Sequence, residues 1–314
     1  EDYSAELARK TGLFYTQGMA EDTAALRQGV FSLDEYISQS RLVATEHLKL
    51  FRAALDSFRD GLLFFHFFGV DQNSHMMWGK HHQPLLETYQ LVDRTVGEVM
   101  RKAPDAQIIV MSDHGFSTFD RAVHLNSLLM QAGFLTLDNP ANAGADELFA
   151  HVDWERTQAY ALGLNALYVN LSGREQNGVV EPEEKDVLLK KIGEKLLAFR
   201  DPKDGRQVIE TVYRPRDHFH GDMTEAGADL LIGYSAGYRA SWQTALGAVP
   251  KEVVEDNKEA WIGDHCIASH LVPGVLIGNR KTKLADARLD DLTASLLSYF
   301  GVSGAEGARG RVLY

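Results

Sequence analysis

The segment IIVMSDHGFST, residues 108–118, restricts the fold more than any other part of the sequence. It begins with the apolar run of a buried β-strand and ends in the polar residues Asp113 and His114, followed by Gly115. Neighbouring side chains of a regular strand point to opposite faces. Asp113 and His114 can therefore share one ligand only where the strand has ended and the backbone turns, which Gly115 permits. The segment predicts a buried strand that carries two strong metal-binding side chains at its end.

A second apolar run, GLLFFHFFGV at residues 61–70, predicts a strand that is covered on both faces, as in a parallel sheet. A long amphipathic helix is predicted over 32–59, a second helix over 84–103 and a strand over 107–112. Strand, helix and strand in this order predict a right-handed βαβ unit. The fold class is therefore predicted to be α/β, with a mostly parallel central sheet flanked by helices.

The later part of the chain predicts a smaller inserted α+β subdomain over 134–225. The catalytic α/β domain would then consist of residues 1–133 and 226–314. The elements predicted here are helices at 122–134, 181–201 and 289–301, strand-rich segments at 158–171, 207–213 and 228–234, and a loop at 139–147.

The first apolar run also ends in metal-binding residues, in the sequence GVDQNSH. Asp71 and His75 are four residues apart, so one helical turn would place both on one face. The carboxyl ends of the strands of an open α/β sheet form the ligand crevice, where a third contribution is expected from GDHCIASH at residues 263–270. Either motif alone can be a chance pattern or a turn, but the two together favour a metal site. Aspartate and histidine suit Zn²⁺ or Mn²⁺ better than Mg²⁺.

The motifs GVDQNSHMMW, VMSDHGF, GDH with LVPGVLIGN, and ADLLIGYSAGYRASWQTALGA together resemble the alkaline phosphatase superfamily. Within it they resemble the type I phosphodiesterase/nucleotide pyrophosphatase group, in the branch of predicted phosphohydrolases and phosphomutases. The resemblance implies an alkaline phosphatase-like fold and two divalent metal ions, Zn²⁺ first and Mn²⁺ as the alternative. These ions would assist phosphoryl transfer from a small phosphorylated substrate to a Thr or Ser nucleophile.

The resemblance also implies how the metals are held. Asp71, His75 and a histidine of the last motif would bind one metal ion, and Asp113 and His114 would supply part of the second site. The late histidine is expected to be His265, because it stands in the GDH motif and Gly263 lets the backbone turn tightly. His270, three residues before Pro273, is the alternative.

The nucleophile of the family has no counterpart in this sequence. In the family an Asp on the first strand and a Thr or Ser just downstream complete the second metal site, but residues 1–60 contain no such pattern. We therefore expect that the catalytic Thr or Ser lies upstream of Glu1 and that this chain is the C-terminal portion of a longer enzyme. The alternatives are a phosphomutase or phosphotransferase, and an inactive metal-binding fragment.

Composition excludes several other classes. The net charge is −12 with acidic and basic residues mixed, which argues against a nucleic-acid partner. No apolar run approaches the roughly 18 residues of a membrane span. The single cysteine, Cys266, excludes an internal disulfide and fits a reducing compartment, so a cytoplasmic location is expected, with a periplasmic or secreted one as the alternative. His66 is expected in the core, and Arg239 at the surface or on a substrate phosphate.

Overall fold

The computed structural model describes residues 2–16, 19–144, 146–283, 285–302 and 309–314. Glu1, and Ala145 in the predicted loop, lie outside these residues. The helices are α1 Asp2–Thr11, α2 Thr23–Arg27, α3 Leu33–Ser57, α4 Gly69–Met77, α5 His82–Lys102, α6 Leu125–Gln131, α7 Lys185–Ala198, α8 Trp242–Ala245 and α9 Leu289–Tyr299. The strands are β1 Ile109–Met111, β2 Ser117–Val123, β3 Ala159–Ala161, β4 Ala166–Val169, β5 Ile209–Tyr213, β6 Leu230–Tyr234, β7 Gly237–Ala240, β8 Val254–Asp256, β9 Gly263–Asp264 and β10 Leu276–Gly278.

The long helices agree with the sequence pattern, and α3 begins where its sequence predicts. The Ser32 hydroxyl accepts a hydrogen bond from the Glu35 backbone N–H at 3.3 Å, and the Glu35 carboxylate accepts one from the Ser32 N–H at 2.8 Å. This reciprocal capping box satisfies two N–H groups that a helix start otherwise leaves unpaired. None of the helices in the described residues is both long enough and apolar enough to cross a membrane.

The strand predicted at residues 61–70 is not formed. Residues 62–67 form neither helix nor strand and pair with no strand of the described residues, and α4 begins at Gly69. Phe65 and Phe67 pack on Phe51 of α3, with ring centroids 5.1 and 5.6 Å away. The alternate residues Leu62 and Phe64 are 59% and 71% exposed. Because no strand forms here, the predicted βαβ unit is absent. Only one face of the segment is covered, and His66 is exposed instead of lying in the core.

The fold is α/β, and its sheets are mixed and largely antiparallel, so the described strands do not clearly show the mostly parallel central sheet that was predicted. β1 pairs antiparallel with β10. β2 pairs in parallel with β7 and antiparallel with β8 and β9. The remaining sheet, in the order β3-β4-β6-β5, is antiparallel throughout. β2 itself was missed, because its polar sequence STFDRAV has no clear strand period and its end was assigned to a helix.

The hydrophobic core joins the two predicted domains. Val123 and Leu129 of the first range pack in one cluster with Ile192 and Val208 of the predicted subdomain. Strand β6 lies in the range assigned to the catalytic domain, yet it pairs with β4 and β5. These contacts do not show where one domain would end and the other begin, so the domain boundaries at residues 134 and 225 stay a prediction. A smaller cluster, formed by Tyr36, Met76, Met77 and Leu85, packs α4 against α3 and α5.

Candidate metal centre

Helix α4 carries Asp71 and His75 on one face, one turn apart. Asp71 Oδ2 lies 3.6 Å from His75 Nε2. His75 is buried, and its Nδ1 is 2.8 Å from the carbonyl oxygen of Gly263. A carbonyl only accepts, so Nδ1 carries the proton and Nε2 keeps a free lone pair towards Asp71. This is the tautomer and orientation that a metal-binding imidazole needs.

The end of β1 brings Asp113 and His114 to the same place. His114 Nε2 lies 3.8 Å from Asp71 Oδ1 and 3.6 Å from Asp113 Oδ1. Gly115 follows because the chain passes very close to the segment before β10: a Cβ at this position would lie only 2.6 Å from the carbonyl oxygen of Pro273. Its backbone φ is not in the left-handed region, so this close approach, and not a tight turn, requires the glycine.

Strand β9 brings His265 to the cluster. Its Nε2 lies 3.7 Å from Asp71 Oδ1, and its ring stacks on that of His114 with centroids 3.5 Å apart. β9 can approach α4 because Gly263 has no side chain: a Cβ there would lie 2.5 Å from the carbonyl oxygen of Ser74. The contact between Gly263 and α4 therefore places His265 beside Asp71.

The Asp71 carboxylate gives the clearest indication of a metal site. Its Oδ1 atom is buried and has no hydrogen-bond partner, although it faces Nε2 of both His114 and His265. An unpaired buried carboxylate oxygen is costly unless it is compensated. In a tetrahedral site with bonds of about 2.0–2.2 Å, neighbouring ligand atoms are about 3.3–3.6 Å apart. The 3.6–3.8 Å separations fit a divalent metal ion.

The acid–base state of the histidines suits metal binding. Burial lowers the pKa of His75 to about 4, although the carboxylates of Asp264 and Asp71 oppose this change. Burial and the neighbouring His114 lower the pKa of His265 as well. Both rings are therefore neutral at physiological pH, as metal ligands must be.

The five side chains assigned to two metal sites form one continuous group, joined through the contacts of His114 with Asp71 and Asp113. His270 lies elsewhere. It is exposed, and its Nε2 is 3.7 Å from Glu210 Oε1. The structure thus places His265, and not His270, next to Asp71.

Aromatic residues that were not predicted from the sequence surround this group. The Trp261 ring stacks on His75 with centroids 3.8 Å apart, and Phe116 meets His75 and His265 edge-on at 4.9 and 5.4 Å. Phe116 is the last residue of the VMSDHGF motif and Trp261 stands two residues before the GDH motif, and this position was the available signal. Arg239 was expected at the surface but is fully buried, because its charge is paired with the carboxylate of Asp264.

Comparison with known families agrees with this geometry. The family model described as type I phosphodiesterase/nucleotide pyrophosphatase matches residues 10–257, which include Asp71, His75, Asp113 and His114 but not His265. Neither a curated protein nor a solved structure matches the chain. Since the matched range covers most of the chain, the resemblance is confirmed. The chain belongs to the type I phosphodiesterase/nucleotide pyrophosphatase family, which is part of the alkaline phosphatase superfamily.

Proposed function

We propose that this chain is the metal-binding portion of a hydrolase of phosphoric esters, which cleaves a phosphomonoester or phosphodiester by phosphoryl transfer assisted by two divalent metal ions. Family membership indicates the class of reaction. The observation that carries the metal site is the buried, unpartnered Oδ1 of Asp71 between the imidazoles of His114 and His265. The mixture of one carboxylate with imidazoles favours Zn²⁺, with Mn²⁺ as the alternative.

The side chains divide into two groups of ligands. Asp71, His75 and His265 would hold one ion, since one ligand atom of each lies within 4.8 Å of the others. Asp113 and His114 would contribute to the second. Ions bound here would neutralise negative charge on the phosphoryl oxygens and on the attacking and leaving oxygens.

The surroundings of the histidines support this role. Phe116 packs edge-on against His75, His114 and His265, and Trp261 covers one face of His75. These rings shield the buried imidazole of His75 from water, whereas Asp113 stays exposed. Interactions of a charged substrate are stronger near such a desolvated group than in water.

The nucleophile is proposed to come from a Thr or Ser in a segment outside these 314 residues. Within the described residues, the five ligand side chains contact aromatic rings, backbone carbonyl groups, Gln72, Asp264, the Cys266 thiol and one another, and no Thr or Ser hydroxyl is among these contacts. The exposed side chains Leu62 and Phe64 lie in a segment that pairs with no strand of the described residues, and a further segment packed there would cover them. Without that segment we expect little or no turnover, because the covalent phosphoenzyme cannot form.

Metal content tests the ligand assignment. After dialysis of the purified chain against Zn²⁺, elemental analysis should find bound metal. His265→Ala should lose one equivalent, because it removes a ligand, whereas the matched variant His270→Ala should keep normal content. No bound metal in the unmodified chain, or loss only in His270→Ala, would contradict the assignment.

Activity tests the reaction. An activated aryl phosphate and an aryl phosphodiester are assayed with Zn²⁺ or Mn²⁺, first with the chain alone and then with an upstream segment co-expressed. Turnover should require both parts and should be abolished by Asp113→Ala. Robust turnover by the chain alone, abolished by Asp113→Ala, would show that a group within these residues is the nucleophile. Absence of turnover of either ester by the metal-loaded pair would refute the hydrolase proposal.

A further inference from the structure

We infer that Asp264 is not a metal ligand, and that its buried ion pair with Arg239 positions the metal-binding imidazoles of His75 and His265. The inference rests on the proposed function, because it assigns two positioning residues to the same site. Asp264, His265 and Cys266 are close enough together to suggest a second ligand group. The contacts of Asp264 argue against its being a ligand in such a group.

Both oxygens of the Asp264 carboxylate are already engaged. Oδ1 accepts hydrogen bonds from the backbone N–H groups of His265 and Cys266, each at 2.8 Å. Oδ2 accepts one from Trp261 Nε1 at 2.8 Å and lies 2.6 Å from Arg239 Nε. Each oxygen of the carboxylate is therefore already held by protein contacts, with which a metal ion would have to compete.

Arg239 is itself held in place. Its guanidinium lies over the rings of Trp242 and Phe119, 4.0 and 5.2 Å from their centroids. One of its N–H groups donates to the carbonyl oxygen of Ala240 at 2.9 Å. Arg239 and Asp264 are both almost inaccessible to solvent, so their attraction is weakly screened. The pair therefore ties β9 rigidly to β7.

The Asp264 carboxylate acts on both imidazoles. It fixes the backbone at His265 through the two N–H bonds, and this sets the direction in which that ring leaves the chain. It holds Trp261, whose ring stacks on His75. It also fixes the strand in which the Gly263 carbonyl accepts the proton of His75 Nδ1. Partners that orient metal ligands in this way commonly change metal affinity by about 10–100-fold when they are removed.

The test compares Asp264→Asn with Asp229→Asn. Asp229 is also a buried carboxylate that is paired with an arginine, Arg174, at 2.7 Å and accepts a backbone N–H, that of Val169, at 2.7 Å. Zn²⁺ affinity is measured by competition with a chelator, well below the unfolding temperature of each variant. Asp264→Asn should weaken Zn²⁺ binding by about 10–100-fold, and Asp229→Asn should leave it within about twofold of the unmodified chain.

A second measurement needs no metal. In ¹H–¹⁵N spectra of the metal-free protein, Asp264→Asn should shift the imidazole nitrogen signals of both His75 and His265, whereas Asp229→Asn should leave them in place. If Asp264→Asn does not fold, Arg239→Lys keeps the charge but loses the planar guanidinium, and it should move both readouts in the same direction.

The outcomes separate the two ideas. Unchanged Zn²⁺ affinity together with unchanged imidazole signals in the folded variants overturns the positioning role. If the unmodified chain binds no Zn²⁺, the proposed function fails, and the imidazole signals of the metal-free protein still decide whether Asp264 positions the two rings.

Discussion

Replacement of Gly263 by alanine should separate the metal ligands without removing any of them. The added Cβ would lie 2.5 Å from the carbonyl oxygen of Ser74 and 2.6 Å from the Cβ of Trp78, whereas ordinary contact begins at 3.4 Å. The first neighbour is a backbone atom and the second is a Cβ atom, and both lie at the end of α4. They cannot rotate away, so β9 and α4 must move apart by most of an ångström.

The size of the effect follows from where the ligands stand. His75 lies on α4 and His265 directly follows β9, so a separation of about 0.9 Å stretches both the 2.8 Å contact of His75 Nδ1 and the 3.7 Å gap between His265 and Asp71. Functional sites tolerate about 0.5 Å of displacement. We expect Zn²⁺ affinity to fall by at least about tenfold, as when a partner of a metal ligand is lost. Overpacking should lower the free energy of unfolding by about 1–3 kcal/mol.

Zn²⁺ titration and urea denaturation of the metal-free protein measure the two effects. The matched control is Gly193→Ala in α7, where an added Cβ meets nothing within 4 Å. That change should raise the free energy of unfolding by about 0.5–1 kcal/mol, because alanine is the better helix residue, and should leave Zn²⁺ binding unchanged. Gly263→Ala with normal Zn²⁺ affinity would refute the argument that this close approach assembles the site.

Three further predictions concern pH, thiol reactivity and metal removal. Burial lowers the pKa of His124 below its ordinary value of 6.5, so the unfolded chain takes up the proton first and the protein loses stability as the pH falls below about 6.5. His124→Gln should therefore flatten the pH dependence of urea unfolding between pH 7 and pH 5, and an unchanged slope would contradict this. Burial raises the pKa of Cys266 to about 12, so iodoacetamide at pH 8 should label the thiol only after denaturation, as mass spectrometry would detect. Zn²⁺ at a hundred times its Kd should raise the free energy of unfolding by about 2.7 kcal/mol and EDTA should remove the gain; a denaturation midpoint indifferent to both would count against the site.

Local features of the fold were predictable because they depend on neighbours in the chain. The capping box of Ser32 and Glu35 fixes the start of α3, and the four-residue spacing of Asp71 and His75 places both on one face of α4. Each feature needs only the geometry of one helical turn. The prediction of these features therefore did not depend on what packs against the helices.

The errors concern features that depend on distant partners. The apolar run at 61–70 indicated a covered strand, but apolar character does not tell which neighbour covers each face, and in the structure Phe64 is left exposed. The pairing of β2 with β7, β8 and β9 also depends on segments far along the chain. A period in the sequence cannot identify such partners.

The sequence by itself determined the chemical identity of the candidate ligands and two of the places where they stand, directly after β1 and on one face of α4. Only the tertiary structure decided that Gly263 meets α4, 188 residues from His75, and that Arg239 is buried against Asp264. The physical reason is that helix spacing and strand ends follow from bonds between near neighbours. The meeting of β9 with α4 is instead the outcome of packing across the whole molecule, in which one glycine without a Cβ lets two distant segments touch.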